Sequence, residues 1–249
     1  MDEVRPMRLL VSVRDHVEAS AAIAGGARWI DLKEPAAGPL GAVAPSVAEQ
    51  VARMVDSRCP VSAALGELSQ WPQAAQLLDV DQLRVVKLGL AGCRHWPDWR
   101  QRWLQVRDEC LGKGKQLAGV VYADSVAAAA PLPDEVIELV GHSGGKYLLI
   151  DTYDKQGLSS IDALGCKELA RLVHSSRRCG LTTVVAGRIT LDDVPLLAAL
   201  PIDILAVRGA VCQGDRMGKL DTNLVQEFNR QLLKYTDAVK QKTYFTTAE

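Results

Sequence analysis

A chain of 249 residues, 48% apolar and 24% charged, has an ordinary globular composition and room for one α/β barrel or two small domains. Its formal net charge of -1 gives no electrostatic reason to expect nucleic acid or an anionic membrane as partner. No apolar run approaches the roughly 20 residues that span a bilayer, and the opening MDEVRPMRLLVSV lacks a secretory signal pattern, so a cytoplasmic location is expected.

Eight β-branched apolar runs alternate with longer amphipathic ones. RLLVSV (8–13) reads as the first strand, followed by DHVEASAAIAGGA, a helix opened by Asp15 as N-cap and closed by glycines. RWIDLK (28–33) is the second strand; after it SVAEQVARMV begins with Ser46 and carries Glu49 three residues on, a capping-box pattern. The remaining strands are PVSAAL (60–65), LRVVKL (83–88), LAGVVYAD (117–124), KYLLID (146–151), TTVVAG (182–187) and DILAVRG (203–209). This alternation predicts a single closed (β/α)8 TIM barrel over residues 1–249. A doubly wound sheet would carry Gly-x-Gly-x-x-Gly after its first strand, and that turn is missing. The polar tail after Tyr235 is expected to fray, with mobile ends at 1–7 and 240–249.

A barrel interior is a packed core, and active sites collect at the C-terminal ends of the strands. Residues i and i+2 of a strand face the same way, so Asp31 and Lys33 share one face while Ile30 and Leu32 take the other. Lys87 shares a face with Val85, Asp151 with Leu149; Asp124 ends the fifth strand and Lys155 follows the sixth. Five such charges on four strands, all at the same end and with Lys155 just beyond, predict a site at one mouth, whereas Arg28 and Lys146 begin strands and fall at the opposite face. A free lysine, with a pKa of about 10.4, is a poor nucleophile at neutral pH. Burial and neighbouring ammonium groups lower that value, and a lysine so tuned can attack a carbonyl and form a Schiff base. Lys33 is the candidate nucleophile, Asp31 orients it or moves protons beside it, and the other lysines and aspartates transfer protons.

The six cysteines are scattered without a C-x-x-C pair and are expected to be reduced and mostly buried. The four histidines also lie apart, so no metal site is expected. The loops after the last two strands, VVAGRIT and VRGAVCQGDRMG, place glycines and arginines where barrels often hold a phosphate. Backbone N–H groups at Gly187 and from Gly209 to Ala210 can approach an anion, and Arg208 and Arg216 can add charge-assisted bonds. Ser12, Asp124 and Gly214 complete the substrate-binding candidates. These residues point to a phosphorylated carbonyl substrate without naming it.

Together, LLVSV, IDLKEPAAGPLG, PVSAALGEL, VKLGL, YAD, DTYDKQG and VRGAVCQGDR run in order through nearly the whole chain, from Leu9 to Arg216. They resemble the (5-formylfuran-3-yl)methyl phosphate synthases, also called 4-(hydroxymethyl)-2-furancarboxaldehyde-phosphate synthases. The Asp-x-Lys-x-Pro-x-x-Gly-x-x-Gly and Asp-Thr-x-x-Lys-x-Gly patterns are the specific ones; the phosphate loops are shared more widely among barrels. The resemblance implies a (β/α)8-barrel lyase that needs no metal or organic cofactor and builds the furan of methanofuran from two molecules of glyceraldehyde 3-phosphate, in one-carbon metabolism. It implies Lys33 as Schiff-base nucleophile, with Asp31, Lys87, Asp151 and Lys155 as the acid/base group. Glu67 stands where the family pattern leads us to expect Asp, and Tyr153-Asp154 where it leads us to expect a small or apolar pair. The expected partner is a small phosphorylated aldehyde, with no nucleic acid and no membrane, and a homo-oligomer is left open. Two other readings stay open: another triose- or pentose-phosphate barrel enzyme of class I aldolase or epimerase type, and a non-catalytic barrel that binds a phosphorylated metabolite.

Overall fold

The computed structural model describes residues 7–246, with side chains through Thr236. Eight parallel strands close in sequence order into a barrel: β1 (Arg8–Val13), β2 (Trp29–Leu32), β3 (Val61–Glu67), β4 (Leu83–Gly89), β5 (Gln116–Tyr122), β6 (Tyr147–Asp151), β7 (Thr182–Val185) and β8 (Ile204–Val207). Each lies where an apolar run predicts a strand, with ends moved by a residue or two. Around them pack α1 (His16–Ala24), α2 (Pro45–Val55), α3 (Trp99–Gly112), α4 (Pro133–His142), α5 (Ser160–Leu164), α6 (Cys166–Arg178), α7 (Val194–Ala198) and α8 (Thr222–Thr246).

Strand parity divides the apolar residues into two cores. Leu9, Val11, Ile30, Leu32, Val86, Leu88, Ile150 and Leu205 face outward and pack with helix residues such as Val51, Trp103, Val140, Leu172 and Phe228. Leu10, Trp29, Val85, Val120, Leu149, Val184, Ile204 and Ala206 fill the lumen. Burying such a side chain contributes roughly 1.5–3 kcal/mol, so each strand's register is strongly specified by its own alternation. Continuing the lumen-facing series by two residues leads from Leu10 to Ser12, Trp29 to Asp31, Val85 to Lys87, Leu149 to Asp151 and Ala206 to Arg208. The same alternation that fills the lumen therefore delivers the polar side chains to its mouth. Trp29 lies edge-on to Tyr147 at 5.9 Å, with the Arg8 guanidinium over its ring at 5.4 Å. Arg28 and Lys146 are exposed at the strand-start end, as their positions predict.

Two local expectations are corrected. Asp15 does cap α1, accepting from the Glu18 N–H, but the Ser46–Glu49 capping box does not form. Helix α2 begins two residues earlier than that cap requires, with Ala44 at the N-cap and Pro45 in its first turn. Proline has no N–H to leave unsatisfied there and its φ is already helical, so Ser46 falls inside the helix. Between β3 and β4 the chain makes only short 3₁₀ segments, Leu68–Gln70 and Ala75–Asp79, because Pro72 blocks a continuous helix. The expected mobile ends fall partly outside the described residues; within them Met7 is buried and helical backbone runs through Thr246. All six cysteines are free: Cys93, Cys110 and Cys212 are buried, Cys59 is half-buried, and Cys166 and Cys179 are exposed. No helix among the described residues is long and apolar enough to cross a membrane.

Because Ser46 is exposed and caps nothing, Ser46→Ala should change stability by less than about 0.5 kcal/mol, against the roughly 1 kcal/mol lost with a true N-cap. Urea denaturation of the variant measures the difference.

Candidate active site

Asp31, at the C-terminal end of β2, is 2% exposed and would be costly to bury unpaired. Its neighbours in register across the sheet are Ser12 on β1 and Ser62 on β3. The Ser62 hydroxyl donates to Asp31 Oδ1 at 2.6 Å and the Ser12 hydroxyl to Oδ2 at 3.1 Å. Lys87 Nζ from β4 lies 2.6 Å from Oδ1. Burial pushes the Lys87 ammonium below the ordinary lysine value; Asp31 opposes this, and Lys33 adds to it.

Asp151, at the end of β6, forms the second centre. Its Oδ2 lies 3.3 Å from Lys33 Nζ and its Oδ1 2.6 Å from Lys155 Nζ. The Thr152 N–H donates to Oδ1 at 2.8 Å, and Lys155 also donates to the Thr152 hydroxyl at 3.3 Å. Burial alone would raise the Asp151 carboxyl, but Lys155 and Lys33 outweigh it and hold the group well below the usual carboxylate range. Lys155 is brought down to about 8, chiefly by burial; Asp151 resists and Lys33 contributes to the fall.

A cavity of about 730 Å³ opens over this second centre, a size suited to a small-molecule site. Ser12, Lys33, Asp151 and Lys155 line one part of it; Gly187, Arg208, Gly209, Gly214 and Arg216 line another. Asp31 and Lys87 are buried and off the cavity wall. Asp124 is also off the wall: its carboxylate accepts from the Tyr153 and Asp154 N–H groups at 2.7 and 2.8 Å and so braces the loop that carries Lys155. Arg208 lines the cavity but is tied to Glu18 and to backbone carbonyls. Arg216 is half-buried and donates to the carbonyls of Gly38 and Pro35, at 3.3 and 3.5 Å, with no salt bridge to a carboxylate among the described residues. Gly187 has a φ of +94°, and a Cβ there would collide with the Ser160 hydroxyl, so its glycine is required by the turn as well as by any ligand. Gly209 is different: a Cβ would meet only Arg216 atoms at 3.7–3.9 Å, an ordinary contact.

Sequence reasoning did not single out Ser62, Thr152, Arg188, Glu18 or Arg14. Ser62 carried a signal, being a polar residue in the lumen-facing register of an apolar strand. Arg188 stands beside Gly187, lines the cavity and donates to the Lys155 carbonyl at 2.8 Å. The two departures from the family pattern meet at one residue. Tyr122 donates its hydroxyl to Glu67 Oε1 at 2.6 Å, and Tyr153 packs edge-on against its ring at 5.6 Å. Glu67 Oε2 accepts from the Ala91 N–H at 2.8 Å, and burial pushes the carboxyl above its ordinary value against both bonds.

A closed parallel barrel with buried lysines and carboxylates gathered at the C-terminal mouth has the build of a (β/α)8-barrel enzyme. The chain belongs to the 4-HFC-P synthase family, whose model matches residues 9–229. A (5-formylfuran-3-yl)methyl phosphate synthase of Methanococcus aeolicus is 33% identical over 230 residues, covering 89% of this chain and 97% of that relative. A protein of the same name from Methanopyrus kandleri is 32% identical over 241 residues, covering 92% and 100%. Among solved structures, KGPDC from Streptococcus mutans in complex with D-R5P superposes with a TM-score of 0.62 at 12% identity, covering 94% of this chain and 99% of that one. The 3-hexulose-6-phosphate synthase from Salmonella typhimurium gives 0.59 at 16% identity, covering 92% and 100%. At those identities the two structures share the fold alone.

Asp151 is what resists the fall of the Lys155 value, so Asp151→Asn should move it further down from about 8, under burial and the Lys33 charge. Nuclear magnetic resonance titration of the ¹³C-methylated lysines reads this directly. An upward move would contradict the ion pair.

Proposed function

We propose that the protein is a (5-formylfuran-3-yl)methyl phosphate synthase that joins two molecules of glyceraldehyde 3-phosphate through a Lys33 Schiff base and supplies the furan of methanofuran-type one-carbon carriers. Family membership and the names of its relatives support the activity. The observation that carries the chemistry is Asp151 shared by Lys33 and Lys155 on the wall of a cavity whose rim holds glycines and arginines.

In this reading, the Lys33 amine attacks the aldehyde of one triose phosphate, and loss of water gives the imine. Loss of the α-proton gives an enamine that attacks the aldehyde of the second molecule. Ring closure with loss of phosphate and water forms the furan, and hydrolysis of the C=N bond returns one water and frees Lys33. Asp151 and Lys155 stand beside Lys33 and exchange protons with the reacting oxygens, Lys155 with its value brought down to about 8. Behind the wall, Asp31 and Lys87 set the charge that Lys33 experiences. Backbone N–H groups near Gly209 and the Arg216 guanidinium receive the phosphate. Among the described residues no group of three or more His, Cys, Asp or Glu is placed to hold a metal ion, and the reading draws on no cofactor.

Incubation with glyceraldehyde 3-phosphate alone should give a furan chromophore, and borohydride reduction during turnover should add a triose-derived mass to the peptide containing Lys33. A label on Lys155 instead moves the nucleophile, while an aldol product without a furan supports a class I aldolase-like enzyme.

Because a Cβ at Gly209 meets no backbone clash, Gly209→Val should fold, with a melting temperature near that of the parent, yet weaken binding of inorganic phosphate by tenfold or more, roughly the loss of one charge-assisted hydrogen bond. Calorimetric titration checks it, and unaltered phosphate binding by a folded variant removes the anion site from β8.

A further inference from the structure

Part of the cavity rim is the loop 213–218, which follows β8 and carries Arg216 to the wall. Inside the loop, Gly218 N–H donates to the Asp215 carbonyl at 3.0 Å and Met217 N–H to the Asp215 carboxylate at 2.7 Å. These bonds shape the turn but do not tie it to the barrel. Besides the long bonds of Arg216 itself to the Gly38 and Pro35 carbonyls, two arginines from either side of the β1–β8 seam do that. Arg208 Nε donates to the Arg216 carbonyl at 2.7 Å and its Nη2 to the Gly218 carbonyl at 3.5 Å. Arg14 donates from Nη1 to the Met217 carbonyl at 3.1 Å and from Nη2 to that of Gly218 at 3.3 Å.

Both guanidinium groups converge on one carboxylate, Glu18 of α1, which is 6% exposed. Arg208 reaches it from Nη1 at 2.8 Å and Nη2 at 3.3 Å, and Arg14 from Nε at 2.9 Å and Nη2 at 2.6 Å. The Arg14 backbone N–H adds a bond at 2.8 Å. Arg208 Nη1 also donates to the Ser12 carbonyl at 2.9 Å. A guanidinium has five N–H donors, and Arg208 has five acceptors, so it has none to spare for a ligand. Without the carboxylate, two like charges would face each other across the seam and repel the geometry that grips the loop.

We infer that Glu18 is a positioning residue for anion binding: through Arg14 and Arg208 it fixes the loop 213–218, and with it the aim of Arg216 at the anionic group of the substrate. This rests on the anion site proposed above. It also assigns Arg208 a supporting task in place of direct contact with phosphate.

The test is calorimetric titration with inorganic phosphate, together with KM and kcat for glyceraldehyde 3-phosphate. Glu18→Gln should weaken phosphate binding and raise KM, each by about tenfold, with kcat held within about twofold, since the lysine centre is untouched. Arg216→Ala should lose phosphate affinity at least as strongly, and Glu18→Gln added to it should cost nothing more, because both act through one guanidinium. Arg14→Ala, at a partly exposed position, should move phosphate affinity and KM the same way by about threefold, and it decides the matter if Glu18→Gln does not fold. A folded Glu18→Gln protein with parental phosphate affinity and KM, or a loss that adds fully to that of Arg216→Ala, overturns the inference. Parental phosphate binding by Arg216→Ala would instead remove the anion site itself.

Discussion

One carboxylate holds the chemistry of the barrel mouth together. Asp151 accepts from Lys33 on one oxygen and Lys155 on the other, with a backbone N–H from Thr152 as a further donor, at 2% exposure. Removing such a group from water costs several kcal/mol unless its oxygens are filled, and three donors fill them. The two ammonium groups keep the carboxylate charged, while burial and their mutual repulsion press Lys155 toward the neutral amine. Three lysines against two aspartates leave the mouth with an excess of positive charge, which suits an anionic substrate.

The second aspartate shows why the site is layered. Asp31 takes Lys87 and two hydroxyls on its oxygens and lies behind the wall, so Lys87 adds charge near the cavity without being presented to it. Chemistry and anchoring are then divided around the barrel. The ends of β2 and β6 bring the Lys33 amine and the Asp151 carboxylate to the wall, while the loops after β7 and β8 bring glycines and arginines. The arginines divide again. Arg208 is consumed by the scaffold, whereas Arg216 reaches only carbonyls and keeps its charge without a carboxylate partner among the described residues. Besides the Gly38 and Pro35 carbonyls, holding Arg216 falls to residues at the start of the chain, Arg14 and Glu18, which meet Arg208 where β1 and β8 adjoin.

The sequence by itself determined the strands, the barrel and the end at which the buried charges gather, because these depend on near-neighbour rules. Alternation with period two separates lumen from helix-facing residues, and adding two to a lumen position points to Ser12, Asp31, Lys87, Asp151 and Arg208. Where local rules compete, the reading fails: Ser46 looks like a cap, but Pro45 fits the first helical position better, and Pro72 turns an expected helix into 3₁₀ segments. Tertiary structure alone decided the partnerships. Pattern cannot tell that Asp31 takes Lys87 while Lys33, two residues further along the chain, turns to Asp151, since the choice depends on reach across the lumen. Nor can it show that Asp124 braces a loop, that Glu67 accepts from Tyr122, or that Glu18 holds Arg208. Each of those contacts joins residues 29 or more positions apart, brought together only when the barrel closes.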